Sequence, residues 1–485
     1  MGIAWLLLKR TFASRPKRTL LFLLGYALAT AVMITLLAVG EAVLLQAQDK
    51  DILGGGDLIL VPQGIDIESL KVGGVGAMYY TIPQGRFIVR QALGSSRFGN
   101  SIDTVSPYLF SQLLYVRKAA NPALQRTVYA EGSLPDQERL VRNMDLPWKN
   151  NSEDLDWISP GAENFYHNID HFHLPVSDKL DLSRWAEWHY FNFEAKKFYG
   201  YLSIMAAGDV FHGKGNWIVS LQLFDGGAHR YAAVLPASRD QLPLERVDYR
   251  TSACSVRFVK DHYEISVDFK DGKPVRGTVR FTPQPNLYFP PAYLAMTDTF
   301  ESGYVIPSLR GSYQGSISVG SHTFDFSDAS GYHDHNWGIW QQPQSAGQPG
   351  APVSWNWGHA YADNYSLFYG EIFLQGKSKG LFLGVFDNRG FVTMFRPGRI
   401  EYSDPETLPQ GIRVPTTLKI AQSKAFTEIE MIGRKKSLVA TPQNLNHSFY
   451  FIQYKMDFDI HLVIDGKDVR FPAHGNAETF VSRNP

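Results

Sequence analysis

The chain is 485 residues long and has a single cysteine, Cys254, so it can form no internal disulfide and no cysteine-rich zinc site. It also lacks any charge excess. The 47 Lys and Arg balance 47 Asp and Glu, and no long basic run occurs beyond the first twenty residues, which argues against nucleic acid as a partner. Gly54-Gly55-Gly56 is not a phosphate loop, because no Lys-Ser/Thr follows and the next residues read as a strand. One long apolar run is present, with no second of that length. What the chain has in quantity is aromatic residues, 24 Tyr, 31 Phe and 10 Trp, which favour sheet-rich structure with apolar cavities. A chain of this length should divide into more than one domain.

The apolar run covers residues 19–40, TLLFLLGYALATAVMITLLAVG, bounded by Arg18 and Glu41. It is long enough to cross a hydrocarbon core of about 30 Å as a helix. Lys9, Arg10, Arg15, Lys17 and Arg18 precede it with no acidic residue, so the positive-inside rule puts the N-terminus in the cytoplasm and the bulk of the chain outside. A cleaved signal peptide is the competing reading. Against it, the apolar core exceeds the usual length of about 7–15 residues and no small-x-small cleavage site follows.

Two later pieces, GGGDLILVPQGID (54–66) and SIDTVSPYLFSQLLYVRK (101–118), follow this basic tail and first apolar helix. Together they resemble the N-terminal end of the FtsX/MacB-like ABC transporter permeases over about residues 1–135. That resemblance implies an extracytoplasmic segment beside a membrane and ABC transporter subunits as partners. Those permeases carry further transmembrane helices near the C-terminus, which this chain does not.

Residues 136–177 are polar and rich in turn formers and read as a linker, with His167, His171 and His173 solvated. From Trp185 onward the apolar pattern has period two. In HYEISVDFKDGKPVRGTVRF, Tyr263, Ile265, Val267 and Phe269 alternate with polar residues before an Asp271-Gly272 turn, after which Val275, Val279 and Phe281 resume. KMDFDIHLVIDGKDVRF repeats the design around Asp465-Gly466. This faint repeat predicts two antiparallel barrels, one ending near residue 320 and one at the C-terminus. Small barrels of that kind hold apolar ligands in their mouths.

Two motifs stand out, Arg184-Trp185-Ala186-Glu187-Trp188-His189-Tyr190-Phe191 and Gly331-Tyr332-His333-Asp334-His335-Asn336-Trp337-Gly338. With the later SWNWGHAY (354–361), they resemble the carotenoid 1,2-hydratase (hydroxyneurosporene synthase) and AttH-like family of lipocalin-type proteins over about residues 160–485. The family's Tyr-x-Asp pair, associated with catalysis, matches Tyr332 and Asp334. Its upstream His-x-Trp pair has no counterpart in GYVIPSLRG (303–311), and the second Trp of its E-W-W-Y-F element is His189 here. Fungal enzymes of intramolecular cycloaddition share the fold, so architecture alone does not fix a reaction.

The residues support an acid chemistry independently. A carboxylic acid buried among aromatic rings stays protonated near neutral pH and can act as general acid, and Asp334 is placed for it. The ring faces of Tyr332, Trp337, Trp355 and Trp357 could stabilise positive charge on carbon. His333 or His335 could orient the acid or take a proton from water. Trp188 and Tyr190 are ligand contacts or barrel core. A plainer role for Asp334 is to accept backbone hydrogen bonds in a turn. His333 and His335, sharing one strand face, could hold a metal only with help from His359 or Glu187, and no spacing demands it.

The sequence therefore predicts a mainly β chain of tandem lipocalin-like antiparallel β-barrels (178–322 and 323–485). Before them come a basic tail and one transmembrane helix (1–47), a small α+β extracytoplasmic segment (48–135) and the linker. The expected site has Asp334, Tyr332 and His333 as catalytic groups. Trp337, Trp355, Trp357, Trp188, Tyr190, His335 and Glu187 line the substrate, an apolar isoprenoid or lipid met at the membrane, with no metal and no cofactor. The function expected is hydration or isomerisation of that molecule; the alternative is a non-catalytic lipid-binding or transfer module beside an ABC transporter.

Overall fold

The computed structural model describes residues 2–48, 58–60, 62, 80–98, 100–118, 121–143, 145–270, 272–297, 299–340, 354–374, 377–408, 411–424, 427–442, 449–464 and 466–482. These form two compact units, one of Met1–Tyr80 with Thr104–Asn151 and one of Thr81–Asp103 with Ser152–Pro485.

In the first unit, helix Ile3–Ser14 precedes helix Pro16–Gln48. Pro16–Ala42 is long and apolar enough to span a membrane, and none of its residues is buried. Such a segment satisfies its backbone hydrogen bonds internally, which is what a bilayer requires. Strands β1 (Tyr108–Lys118) and β2 (Asn121–Ser133) pair antiparallel. Most of the strand expected over 54–66 lies outside the described residues. Helix Pro135–Arg142 follows, closed by Asn143 in the left-handed region, with Ser106 donating to Glu138 Oε2 at 2.7 Å.

The second unit is almost wholly antiparallel sheet. Its first sheet has twelve strands among the described residues: β3 (Trp185–Glu194), β4 (Tyr199–Asp209), β5 (Lys214–Phe224), β6 (Ala228–Pro236), β7 (Asp248–Arg250), β8 (Cys254–Val259), β9 (His262–Phe269), β10 (Val275–Pro283), β11 (Phe289–Thr297), β12 (Phe300–Val319), β13 (His322–Asp325) and β14 (Ser330–Ile339). The spatial order is β6-β5-β4-β3-β14-β12-β10-β9-β8-β7, with β11 and β13 paired to the long β12. The second sheet holds β15 (Ser354–Tyr361), β16 (Tyr365–Leu374), β17 (Lys377–Asp387), β18 (Gly390–Phe395), β19 (Glu401–Thr407), β20 (Arg413–Lys424), β21 (Thr427–Pro442), β22 (Phe449–Ile464) and β23 (Lys467–Ser482). Its order is β18-β17-β16-β15-β23-β22-β21-β20-β19. Both are curled, lipocalin-like sheets around their own apolar cores.

Period two explains the packing. The inward residues of β9, Tyr263, Ile265, Val267 and Phe269, are buried while Glu264 and Ser266 are less so, and β10 returns from a turn with Gly272 at φ +81°. Each such apolar side chain contributes about 1.5–3 kcal/mol by leaving water. One core gathers Trp185, Phe191, Trp217, Tyr263 and Phe281 inside the first sheet. Another gathers Leu383, Ile420, Met431 and Ile452 inside the second. A third cluster, with Tyr304, Ile306 and Tyr332 from the first sheet and Trp357, Phe368 and Phe382 from the second, joins them.

Three expectations are corrected. The first sheet does not end near 322: β14, which carries the Gly331–Gly338 motif, is inserted between β3 and β12 and belongs to it. Residues 136–177 contain the helices Pro135–Arg142, Ser152–Ile158 and Ala162–Asp170, the last with Phe165, Tyr166, Ile169 and Asp170 buried, because its apolar face packs into the first sheet's core. Nor are its histidines free in solvent: His167 Nδ1 accepts from Val247 N at 3.1 Å and His173 stacks on Trp337 at 3.5 Å. Helix Ile82–Gly94, opened by a Thr81/Gln84 capping box, also belongs to this unit, where Gln91 Oε1 accepts from Phe391 N at 2.9 Å.

Gly303 on β12 lies opposite Trp337, and a Cβ there would overlap the indole ring. Gly303→Ala should lower stability by about 1–3 kcal/mol, the usual result of overpacking a filled core. Denaturant unfolding followed by tryptophan fluorescence measures it, and an unchanged midpoint would refute this packing role.

Candidate functional site

The site is built on the β3/β14 pair. Its register sets Asp334 opposite Tyr190, Tyr332 opposite Asn192, His335 opposite His189 and Trp337 opposite Glu187. Because successive strand residues point to opposite faces, the motifs divide into two sets. Tyr190, Tyr332, Asp334 and Asn336 face the second sheet, while Glu187, His189, His333, His335 and Trp337 face into the first.

On the outward side, the second sheet answers with a row across β15, β23 and β22, in which Trp357 pairs with Glu478 and Glu478 with Gln453. The two rows are stitched by hydrogen bonds. Trp357 Nε1 donates to Tyr332 Oη at 2.8 Å, Tyr332 Oη donates to Asp334 Oδ2 at 2.7 Å, and Gln453 Nε2 donates to Tyr190 Oη at 2.7 Å. Asn336 Nδ2 donates to Asp334 Oδ1 at 3.1 Å, and Trp355 Nε1 donates to Glu478 Oε1 at 3.1 Å. His359 stacks on Tyr332 at 4.5 Å, and burial holds it neutral. Trp188, Trp340 and Trp355 cluster with ring centroids 4.5–6.2 Å apart.

Burial controls the acids here. Asp334 is 4% exposed, and loss of water raises its carboxyl to about 7, against the pull of Tyr332 and the weaker pull of Asn336. Glu478 rises to about 8, through burial first and the charge of Asp334 second. Burial also pushes the Tyr332 and Tyr190 hydroxyls far up, so both remain protonated donors. Two clefts open beside this row. Each has room for about one water molecule; one is lined by Tyr190, Tyr201, Phe224 and Gln453, the other by Glu478, Tyr369, Tyr402 and Tyr454.

On the inward side lies a buried chain of imidazoles and carboxylates. His333 donates from Nδ1 to the Tyr190 carbonyl at 3.0 Å and meets Asp170 Oδ2 through Nε2 at 3.0 Å. Tyr263 Oη donates to the same Asp170 oxygen at 2.8 Å. His335 bridges Asp170 Oδ1 at 3.0 Å and Glu187 Oε1 at 2.8 Å, and His173 Nδ1 lies 3.0 Å from Glu187 Oε1. Burial raises the Asp170 carboxyl, but His333 and His335 outweigh it and leave Asp170 low and ionised. Burial drives Glu187 well up and holds His173, His189 and His335 well down, hence neutral.

The structure thus brings Tyr332, Asp334, Trp355, Trp357, Trp188 and Tyr190 to one side, and His333, His335, Glu187 and Trp337 to the other. His333 makes no hydrogen bond to Asp334, because adjacent strand residues cannot share a face. His335 and Glu187 do meet, whereas His359 lies with Tyr332 on the outward side. Sequence reasoning missed Glu478, Gln453 and Asp170. Asp170 carried a legible signal, since Phe165, Tyr166, Ile169 and Phe172 recur at helical spacing around it. Glu478 sits in no motif.

No protein-family model and no curated protein matches the chain. Among solved structures it is similar to a candidate AttH protein from Nitrosomonas europaea, at 13% identity over 61% of this chain and 92% of that one, with a TM-score of 0.43. It is similar also to CghA with Sch210972, at 10% identity over 66% and 97%, TM-score 0.44. A third is kievitone hydratase from Nectria haematococca, at 10% over 64% and 92%, TM-score 0.39. The class defined by the strand topology is a mainly β protein of two successive lipocalin-like antiparallel sheets, with an N-terminal helix able to span a membrane.

Proposed function

We propose that the Tyr332–Asp334 face is the active centre of a lyase or isomerase that protonates a carbon–carbon double bond of an apolar isoprenoid or lipid. The carrying observation is a buried carboxyl with a value of about 7, fixed by Asn336 and by Tyr332, whose hydroxyl is itself bonded by the Trp357 indole. Asp334 gives its proton to one alkene carbon, leaving positive charge on the other. The faces of Trp355 and Trp357 offer their negative quadrupoles to that charge. In hydration, water then adds to the cation and its proton returns to the Asp334 carboxylate. Trp357 and Tyr332 act as positioning residues for the acid. The apolar helix would hold the chain where such a water-insoluble substrate is met.

The pH dependence tests this. Activity should fall about tenfold per pH unit above about 7, as Asp334 loses the proton it must deliver. Tyr332 donates to the ionised carboxyl and so favours it; Tyr332→Phe should shift that falling limb to higher pH. A limb unmoved by this substitution, or activity rising through pH 8, would contradict Asp334 as the acid.

A further inference from the structure

On the inward side of β14, His189 is out of keeping with its surroundings. It is 1% exposed, and neither ring nitrogen has a hydrogen-bond partner among the described residues. A neutral imidazole so placed leaves a donor and an acceptor unmet, which costs free energy unless something else fills the place. Its Nδ1 is aimed at Asp170 Oδ1, 3.4 Å away, without the alignment of a hydrogen bond. His335 Nδ1 approaches the same oxygen at 3.0 Å, and the three donor atoms lie within 4.8 Å of one another.

We propose that Asp170 Oδ1, His189 and His335 Nδ1 form a binding site for one divalent first-row transition ion such as Zn2+. Donors about 2.0–2.1 Å from a tetrahedral ion stand about 3.3 Å apart, close to the 3.0 Å and 3.4 Å that separate Asp170 Oδ1 from the two imidazoles. Imidazole and carboxylate without thiolate is a donor set suited to Zn2+. The surrounding groups take the places that outer partners of such a site take. Asp170 Oδ2 is saturated by Tyr263 Oη and His333 Nε2, which turns Oδ1 toward the two imidazoles. His335 Nε2 faces Glu187 Oε1, an oxygen able to accept that ring N–H and so fix the tautomer of a ligating histidine, and Glu187 is itself held by His173 through its backbone N–H at 2.8 Å. Three protein ligands leave a fourth position open, as in sites that bind water or substrate rather than purely structural ones. The site lies on the face of β14 opposite Asp334 and does not depend on the acid chemistry proposed there.

The experiment uses the full chain in detergent, stripped with chelator and titrated with Zn2+ alone. Elemental analysis after dialysis should give close to one equivalent, and His189→Gln should weaken binding at least about tenfold. His229→Ala, which alters the surface group of His229, His322 and Asp225, should leave binding unchanged. X-ray absorption of the wild-type zinc form should show nitrogen and oxygen neighbours at about 2.0–2.1 Å with two imidazoles, and needs no variant to fold. Absence of retained zinc, zinc bound equally by His189→Gln, or a spectrum without imidazole would overturn the proposal.

Discussion

Asp334→Asn should be more stable than the wild-type chain at pH 8, by up to about 4 kcal/mol, with the difference shrinking toward pH 4. An aspartate in the unfolded chain ionises near 3.8, whereas the folded environment holds Asp334 to about 7. Across that window the unfolded state has released the proton and the folded state has kept it, so stability falls as pH rises and the penalty is complete above 7. A displacement of about 3 pH units corresponds to about 4 kcal/mol, an upper limit because Asn does not reproduce every hydrogen bond of the acid. Asparagine cannot ionise and escapes the penalty. Thermal or denaturant unfolding of both chains in detergent at pH 4 and 8 measures it. A variant less stable at pH 8, or a pH-independent difference, would mean that burial does not strain this carboxyl.

The opposite sign is expected for Asp170→Ala. Asp170 is fully buried and accepts from Tyr263, His333 and His335 at once. Its removal leaves a buried hydroxyl and two imidazoles without their acceptor, a change that typically costs about 3–5 kcal/mol when one partner of a buried charged group is deleted. The same unfolding measurement should show a large drop at every pH where Asp170 is ionised. A variant within about 0.5 kcal/mol of wild type would show that this network contributes little.

These two aspartates show what was legible in the sequence. Period two and the Asp-Gly turns at Gly272 and Gly466 were sufficient to place the hairpins β9–β10 and β22–β23 and the mainly β class. The same alternation, applied strictly to Tyr332-His333-Asp334, separates His333 from the other two, as the structure does. What the sequence could not supply was long-range pairing. Nothing local shows that β14 inserts between β3 and β12, that Asp170, more than 160 residues before His333, meets it, or that Glu478 faces the Asp334 row. Those contacts arise from sheet curvature and register across the whole second unit. The helix Ile82–Gly94 was missed for a related reason: its cap and amphipathic face are local, but its partner strands lie hundreds of residues later.

The central claim is that Asp334 delivers a proton to an apolar substrate. It is tested most directly by incubating the full wild-type chain and Asp334→Asn with acyclic carotenes and with a total lipid extract, and reading both by mass spectrometry. The account predicts a product heavier by one water, or an isomer of unchanged mass and altered retention, formed by wild type and absent with Asp334→Asn, while both proteins retain the same lipid. Equal product formation by the two chains, or lipid bound equally and never altered, would contradict it.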